Sequence, residues 1–245
     1  MTGLTAALAA FVHQPDLPAQ LPPEAVRIIK TGFADTLATM IAGRDEPVVQ
    51  IARQFVAARH PATGASSVLL GGERLNAADA ALINGTAGHA LDFDDVALGG
   101  HPSTVLVPAV LAAAEEVNAS GAEALRAYLV GYEVWAELFT REKDAYHLKG
   151  WHPTAVLGTV GACAAAAYLH RLPLAQTQHA LALSASMAGG LVANFGTMTK
   201  PLHAGRAAAC GLEAVQFARL GLTAAPDAFE HHAGYLAALS PHGQA

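Results

Sequence analysis

The sequence predicts an all-α fold, a large bundle of many helices. Hydrophobic residues make up 53% of the 245 residues and charged residues only 14%, so most of the chain must be buried. Apolar residues recur at helical spacing between breaks at glycine and proline, and residues 66–70 are the only convincing strand-like run. No repeat, low-complexity linker or change in composition marks a second domain. Residues 1–245 are therefore predicted to form one helical domain.

The predicted helices of the first half are bounded by residues that start or stop helices. Pro22-Pro23 suits a helix start, Gly43 ends that helix, and Asn76 is placed to cap another. Apolar residues from Val26 to Ile41 form a stripe along one side of the second helix. The predicted helices here are Leu4 to Val12, Pro23 to Gly43, Val48 to Ala58, Ala77 to about His89, and Ser103 to Val117.

The second half is predicted to be equally helical. Ser120-Gly121-Ala122-Glu123 has the form of a capping box and opens a helix that continues past Phe139. A charged loop, residues 141–149, precedes two helices without charge, and Gly189-Gly190 breaks the chain after them. The remaining predicted helices are Pro153 to Leu169, Leu174 to Met187, Pro201 to about Leu220, and Pro226 to Leu239.

Charge, cysteine content and the apolar stretches argue against several classes of protein. The net charge of −6, without any Lys/Arg cluster, argues against nucleic acid as a partner. Cys163 and Cys210 lie in Ala/Gly-rich stretches and indicate buried thiols in a reducing cytoplasm. Leu4 to Val12 has no basic residue ahead of it, so no signal peptide is predicted. The uncharged stretch Pro153 to Leu169 is rich in alanine and glycine, which favours a packed internal helix over a membrane span. We therefore expect a cytoplasmic protein without a membrane partner.

Three polar segments interrupt this apolar chain, each at a predicted helix end. The first polar segment contains His89, Asp92, Asp94, Asp95 and His101, the second is Trp151-His152-Pro153, and the third contains Thr197, Thr199, Lys200 and His203. Burying an unpaired carboxylate is strongly unfavourable, so the acids of the first polar segment need partners. We therefore predict that this segment forms one wall of an active site.

Each polar segment also has a structural interpretation. His89 could cap a helix C-terminus, and Asp94 and Asp95 could be cap or loop residues, which for Asp95 is the favoured interpretation. His152 could be a structural histidine. Lys200 is different, because a cation beside a helix N-terminus is disfavoured unless it binds an anion together with the free N–H groups.

A metal site is a further alternative for the first polar segment. Carboxylates and imidazoles suit iron, manganese or zinc, and such a site would favour a metal-dependent hydrolase. The spacing matches no strong metal-binding pattern, and adjacent acids would point apart on a helix. We therefore predict no metal.

The polar segments belong to a longer series of motifs, and together these resemble the MmgE/PrpD family. The motifs occur in family order over almost the whole chain, and their combination is specific. They are Asn84-Gly85-Thr86-Ala87-Gly88-His89-Ala90-Leu91-Asp92-Phe93-Asp94-Asp95, His101-Pro102-Ser103 with Pro108-Ala109, Gly131-Tyr132-Glu133-Val134, Gly150-Trp151-His152-Pro153-Thr154, and Gly196-Thr197-Met198-Thr199-Lys200-Pro201-Leu202-His203-Ala204-Gly205.

The resemblance implies a helical domain that dimerises and a smaller α/β lid domain formed by the C-terminal part of family members. It implies catalysis without metal or cofactor on small di- or tricarboxylates. Asp92, His101, His152 and Lys200 match active-site positions of the family, and His152 and Lys200 are expected to bind the substrate. Val96 stands where family members usually have threonine. The sequence ends where family members continue into the lid, so we expect the α/β lid to be missing.

The expected function is that of a cofactor-free lyase or isomerase domain, similar to a dehydratase or a decarboxylase, acting on a small polycarboxylate. The expected partners are a second copy of the chain and a separately encoded lid. We expect His101, His152 and Lys200 to point into one cavity with Asp92 at its edge. The alternative is a truncated, catalytically silent helical protein that keeps the dimerisation surface.

Overall fold

The computed structural model describes residues 3–14, 21–59, 63–142 and 144–239. Over these residues the protein is built of ten α-helices and one short antiparallel ribbon, which confirms the all-α prediction. The helices are α1 (Leu4–Val12), α2 (Pro23–Gly43), α3 (Pro47–Arg59), α4 (Ala77–Gly88), α5 (Ser103–Glu116), α6 (Gly121–Thr140), α7 (Pro153–Leu169), α8 (Leu174–Met187), α9 (Thr199–Arg219) and α10 (Tyr235–Leu239). The ribbon pairs β1 (Ser66–Ser67) with β2 (Arg74–Leu75), and short 3-10 helices span Tyr146–Lys149 and Val192–Asn194.

Helix α7 lies at the centre of the bundle. All of its residues except Tyr168 are buried, and it packs against α5, α6, α8 and α9. A helix without charge that is rich in alanine can be enclosed on every side, because it has no polar face to solvate. None of the described helices is long and apolar enough to cross a membrane.

Helices α4 and α9 cross at glycines, which bring their backbones into contact. A Cβ atom on Gly205 of α9 would lie 2.2 Å from the carbonyl oxygen of Leu82 in α4. The nearest atom to a Cβ on Gly85 would be the Cα of Gly205, at 2.9 Å. This close crossing fixes the C-terminal end of α4 relative to the first turns of α9.

The predicted helix caps are confirmed by hydrogen bonds. The Asn76 side chain accepts from the backbone N–H of Asp79 at 3.0 Å, at the start of α4. Ser120 and Glu123 form the reciprocal capping box at the start of α6. Local sequence signals therefore set these two helix starts.

Three predicted elements differ in extent from the structure. The strand predicted over residues 66–70 is only two residues long, because the chain reverses through Leu70 and Gly72, both of which have positive φ. Helix α9 begins at Thr199 rather than Pro201, which places Lys200 in its first turn. Pro201 is tolerated there, because backbone N–H groups in the first turn of a helix have no helical acceptor. The tail after residue 239 lies outside the described residues.

The helix predicted from Pro226 to Leu239 is wrong over most of its length, since α10 covers only its last five residues. The preceding segment folds onto α1 instead. The backbone N–H of Phe229 donates to Oγ1 of Thr5 at 3.1 Å, and the carboxylate of Glu230 accepts from the backbone N–H of Thr5 at 2.9 Å. The Phe229 ring is fully buried, so these tertiary contacts replace helical ones.

Candidate functional site

Four helix ends meet around the three polar segments. His89 is the C-cap residue of α4 and His152 the N-cap residue of α7, while α5 and α9 begin at Ser103 and Thr199. Three of these ends are N-termini, whose free N–H groups and helix dipoles favour negative charge. The backbone N–H of His101 donates to Oγ1 of Thr154 at 3.1 Å, which ties the loop before α5 to the first turn of α7.

Asp94 is a buried carboxylate between two imidazole rings. His89 Nδ1 donates to its two oxygens at 2.9 and 3.0 Å, and His101 Nδ1 lies 3.2 Å from Oδ2. Burial alone would raise the pKa of Asp94, but its contacts with His101 and His89 lower that pKa well below its usual range. Asp94 is therefore an ionised acceptor, and the tautomer of His89 carries its proton on Nδ1.

His101 lies between two carboxylates. Besides Asp94, it has Asp92 nearby, with 3.8 Å between its Nε2 and Asp92 Oδ1. Burial lowers the pKa of His101, but Asp94 and Asp92 outweigh burial and the charge of Lys200, and the pKa of His101 is raised overall. This environment favours the imidazolium form, which can donate a proton.

Lys200 and Asp92 form an ion pair across the mouth of the site. Lys200 Nζ lies 2.5 Å from Asp92 Oδ1 and 5.0 Å from the centre of the Phe195 ring. Asp92 has a positive φ of 57°, a conformation that aspartate tolerates better than most residues and that is common at functional sites. The Asp92 side chain is half-exposed, whereas that of Lys200 is mostly buried.

His152 and His203 form a second histidine pair, with 3.1 Å between their Nδ1 atoms. His152 is buried, its ring stacks at 5.9 Å on that of His89, and the edge of the Phe195 ring lies against it. Burial, together with the charges of His89, His203, Lys200 and His101, lowers the pKa of His152 to about 2. His152 is therefore neutral and can accept a proton, in contrast to His101.

Asp95 has the structural role favoured by the sequence interpretation. Its carboxylate accepts from the backbone N–H and the hydroxyl of Ser103, at 3.1 and 2.7 Å. The Ser103 hydroxyl in turn contacts the hydroxyl of Tyr128 at 2.7 Å. Asp95 thus satisfies the start of α5 from a neighbouring loop, as a capping residue does.

The four predicted site residues lie in one cluster, in two layers. Asp92 and Lys200, with His89, line a cavity of about 320 Å³ together with residues 46–48 and 196–198. His101 lies near Asp92 and His152 stacks on His89, but neither is among the described residues that line this cavity. The half-exposed Asp92 agrees with the expected position at the edge of the site. The expected single cavity is observed only in part, because His101 and His152 do not line it.

The sequence prediction left out three residues of this cluster. His89 was interpreted as a possible helix cap; it is the C-cap residue of α4, and its buried side chain is bound to Asp94. Asp94 and His203 were recognised only as members of the polar segments. These residues could be noticed in the sequence only as polar residues in an apolar chain. Their hydrogen-bond partners lie from 5 to 51 residues away and could not be predicted from the sequence.

The first polar segment also offers a set of metal ligands. His89, Asp92, Asp94 and His101 each present one ligand atom, all within 4.8 Å of one another. These ligand types suit a divalent transition metal. The ammonium of Lys200 is bound to Asp92, and Asp94 binds both imidazoles, so the cluster already balances its charges with protein groups.

The site residues lie in a part of the sequence that matches a known protein family. The sequence profile described as the MmgE/PrpD N-terminal domain matches residues 6–245. The chain belongs to the MmgE/PrpD family. This match confirms the resemblance inferred from the motifs, and it covers all three polar segments.

Several relatives of this MmgE/PrpD chain are named cis-aconitate decarboxylase. The human protein is 34% identical over 243 residues, covering 96% of this chain and 50% of the human one. The mouse protein is 42% identical over 155 residues, covering 61% and 32% of the respective chains. A protein of Aspergillus terreus is 28% identical over 223 residues, covering 86% and 44%. The chain thus spans about half the length of the human protein that it matches.

Proposed function

We propose that this MmgE/PrpD chain carries the catalytic groups of a lyase or isomerase that acts on a small di- or tricarboxylate, by a dehydratase- or decarboxylase-type reaction. The observation that carries the proposal is the pairing of opposite protonation states in one cluster. His101 favours its charged form and His152 its neutral form, and the charge of Lys200 acts on both rings. A proton donor, a proton acceptor and a fixed cation are the groups that such chemistry needs.

Substrate binding is assigned to Lys200 and His152. Lys200 stands in the first turn of α9, where its charge adds to that of the helix N-terminus. An arriving carboxylate replaces Asp92 as the partner of the ammonium, and the half-exposed position of Asp92 leaves room for this exchange. His152 starts α7, so a second carboxylate would meet another helix N-terminus.

The reaction proceeds through negative charge that develops next to a carboxylate. Removal of a proton from carbon, or loss of CO₂, leaves an electron pair on that carbon and an enolate-like charge on the carboxylate oxygens. Lys200 and the imidazolium of His101 stabilise this charge. His152 takes the proton in the first case, and His101 protonates the carbon after decarboxylation. The negative substrate raises the pKa of His152, because it offsets the positive neighbours that depress it.

An apolar rim around the site supports the idea of a cover. The exposed fractions are 58% for Phe93, 75% for Val96, 85% for Leu148 and 53% for Met198. Large exposed apolar side chains around a polar cavity are typical of a surface that another domain or chain covers. A cover excludes water and strengthens the attraction between Lys200 and the substrate. We propose that a lid-like domain or separate chain fills this role and that the protein works as a homodimer.

The function is tested with the purified chain and the substrates 2-methylcitrate, cis-aconitate and iminodisuccinate, each with and without a lid-like protein added. Exposed ion pairs contribute about 0–1 kcal/mol each, so the chain alone is expected to bind these acids with a Kd on the order of millimolar and to turn over very slowly. Addition of the lid should raise turnover, and His101→Gln should abolish the gain. Absence of turnover under both conditions would favour the catalytically silent alternative.

Two measurements on the same sample test the remaining parts of the proposal. Metal analysis is expected to give less than stoichiometric iron, manganese and zinc; a stoichiometric metal would favour the hydrolase alternative. The solution mass is expected to be twice that of the 25.1 kDa chain at micromolar concentration, and a monomer mass would contradict the proposed dimer.

A further inference from the structure

His203 lies in the second turn of α9, three residues after Lys200, and contacts the ring of His152 across the site. The two Nδ1 atoms are 3.1 Å apart and the ring centres 5.3 Å apart. Both residues are buried. His203 was not among the predicted site residues, and it has no role in the reaction proposed above.

The contact couples the tautomers of the two rings. Burial and neighbouring charges lower the pKa of both histidines, so both rings are neutral. A neutral imidazole carries one proton, on either Nδ1 or Nε2. A hydrogen bond between two Nδ1 atoms needs the proton on one of them only. One ring is therefore protonated at Nδ1, and the other must be protonated at Nε2.

Gly190 holds this geometry in place. Its carbonyl oxygen accepts from the backbone N–H of His152 at 3.0 Å. A Cβ atom on Gly190 would lie 3.2 Å from both Cγ and Nδ1 of His203 and 2.6 Å from the Cβ of Ala155. The absence of a side chain lets the Gly190 backbone pack against the His203 ring, while its carbonyl fixes the backbone of His152.

We propose that His203 is a positioning residue that sets the tautomer of His152 and receives its Nδ1 proton. Before reaction, His152 donates from Nδ1 to His203, so that Nε2 of His152 carries a lone pair and acts as the base. When Nε2 takes a proton from the substrate, the Nδ1 proton of His152 passes to Nδ1 of His203. One proton enters His152 and one leaves it, and His152 becomes the other neutral tautomer, with Nε2 now a donor.

The charged groups around the pair are consistent with this direction of transfer. The ring of His89, the C-cap residue of α4, stacks on that of His152, and the charges of Lys200 and His101 also lower the pKa of His152. Fewer positive groups lower the pKa of His203 than lower that of His152. His203 therefore holds an extra proton at lower electrostatic cost.

The first test is the tautomeric state of the unmodified protein, which does not depend on activity. ¹⁵N NMR of imidazole-labelled protein should give His152 protonated at Nδ1 and His203 protonated at Nε2. Protonation of both rings at Nε2 would overturn the proposal, because the Nδ1 contact would then have no proton. This readout is independent of whether the substrate is a polycarboxylate.

The second test uses two polar variants that differ in where they place an amide. His203→Asn keeps a polar atom near the position of Nδ1, whereas His203→Gln carries its amide beyond that position. Neither amide can take the proton, so both variants should lower kcat about 100-fold with little change in KM. The Asn variant should keep the single tautomer of His152, and the Gln variant should lose it. Loss of the single tautomer in both variants would overturn the positioning role, and an unchanged kcat in the Asn variant would overturn the proton transfer.

The matched control is His179→Asn, which removes a histidine of α8 that is hydrogen-bonded to the backbone of Ala224, away from the site. It should leave the His152 spectrum and kcat unchanged. This inference rests on the proposed function only for its kinetic half. A wild-type protein that has the expected tautomers but stays inactive even with a lid-like protein added would refute the function and leave the coupling of His203 to His152 intact.

Discussion

Lys200 and Asp92, 108 residues apart in sequence, form an ion pair with 2.5 Å between Nζ and Oδ1. The pair joins the first turn of α9 to the loop that follows α4. Its two members differ in exposure, since the Asp92 side chain is 51% exposed and that of Lys200 only 13%. The ammonium is therefore held in place by the protein, whereas its partner carboxylate stands where a ligand carboxylate could displace it.

Opposite substitutions in this pair should have opposite effects on ligand binding. Asp92→Asn removes the competing carboxylate and should tighten binding of a tricarboxylate by about fivefold or less, since half-exposed ion pairs are worth about 0–1 kcal/mol. Lys200→Met should weaken binding, because it removes the cation. Titration calorimetry with cis-aconitate measures both. Lys30→Met, on the exposed face of α2, gives the same change in net charge as a control. Weaker binding in both site variants would show that Asp92 itself binds the ligand.

The buried carboxylate of Asp94 should dominate the stability of the cluster. Asp94→Asn leaves His89 and His101 without their ionised partner, and breaking a buried pair costs about 3–5 kcal/mol. The pKa of Asp94 is lowered in the folded protein, so its contribution is present at neutral pH and is lost as the pH falls through the acid range. Urea unfolding at pH 7 measures the cost.

Asp45→Asn is the matched control for Asp94, because Asp45 is 79% exposed and pairs only with its neighbour Arg44 among the described residues. It should change stability by about 0–1 kcal/mol. In the Asp94 variant the pKa of His101 should fall, as followed by NMR titration. An unchanged titration of His101 would contradict the assigned cause of its raised pKa.

The helices could be predicted because their signals are local. Apolar spacing defines α2, the capping residues define the starts of α4 and α6, and the lack of charge in α7 matches its position at the centre. The segment from Pro226 to Leu239 has helical composition too. Its contacts with Thr5, more than 220 residues earlier in the chain, decide its conformation, and no local pattern contains them.

The site was predictable in composition but not in pairing. Asp94 and Asp95 are adjacent and chemically identical, yet one is enclosed by two imidazoles and the other caps α5. The difference comes from which side of the backbone each side chain faces, and a loop sequence does not specify that. The contact between His152 and His203 likewise depends on how α7 and α9 cross.

The neutral state of His152 predicts a pH dependence of stability. Its pKa is lowered to about 2 in the folded protein, against about 6.5 in an unfolded chain. The unfolded state therefore binds more protons below about pH 6.5, so the contribution of His152 is present above that pH and lost as the pH falls. Between about pH 7.5 and 5.5, the wild type should lose about 1.4 kcal/mol more than His152→Asn.

The raised pKa of His101 acts in the opposite sense, since its contribution is lost as the pH rises. Comparison of wild type with the His152 variant cancels this term, because both proteins keep His101. Urea unfolding curves at several pH values provide the measurement, and the two proteins should run parallel between about pH 7.5 and 8.5. An equal loss on acidification would mean that His152 is charged in the folded protein.

The close crossing of α4 and α9 predicts that Gly205→Ala harms both stability and the site. The added Cβ would lie 2.2 Å from the Leu82 carbonyl oxygen and 2.9 Å from the Thr86 backbone nitrogen, and these backbone atoms cannot rotate away. Overpacking of this kind costs about 1–3 kcal/mol. The helices must separate, and Lys200, five residues before Gly205, would move away from Asp92. Binding of a tricarboxylate should therefore weaken together with stability. Gly121→Ala, in the first turn of α6, is the control, because beyond its own helical turn no atom of the described residues lies within 4 Å of the added Cβ. This variant should be neutral or stabilising by about 0.4–1 kcal/mol. Normal ligand binding in a destabilised Gly205→Ala protein would show that the helix crossing does not set the position of Lys200.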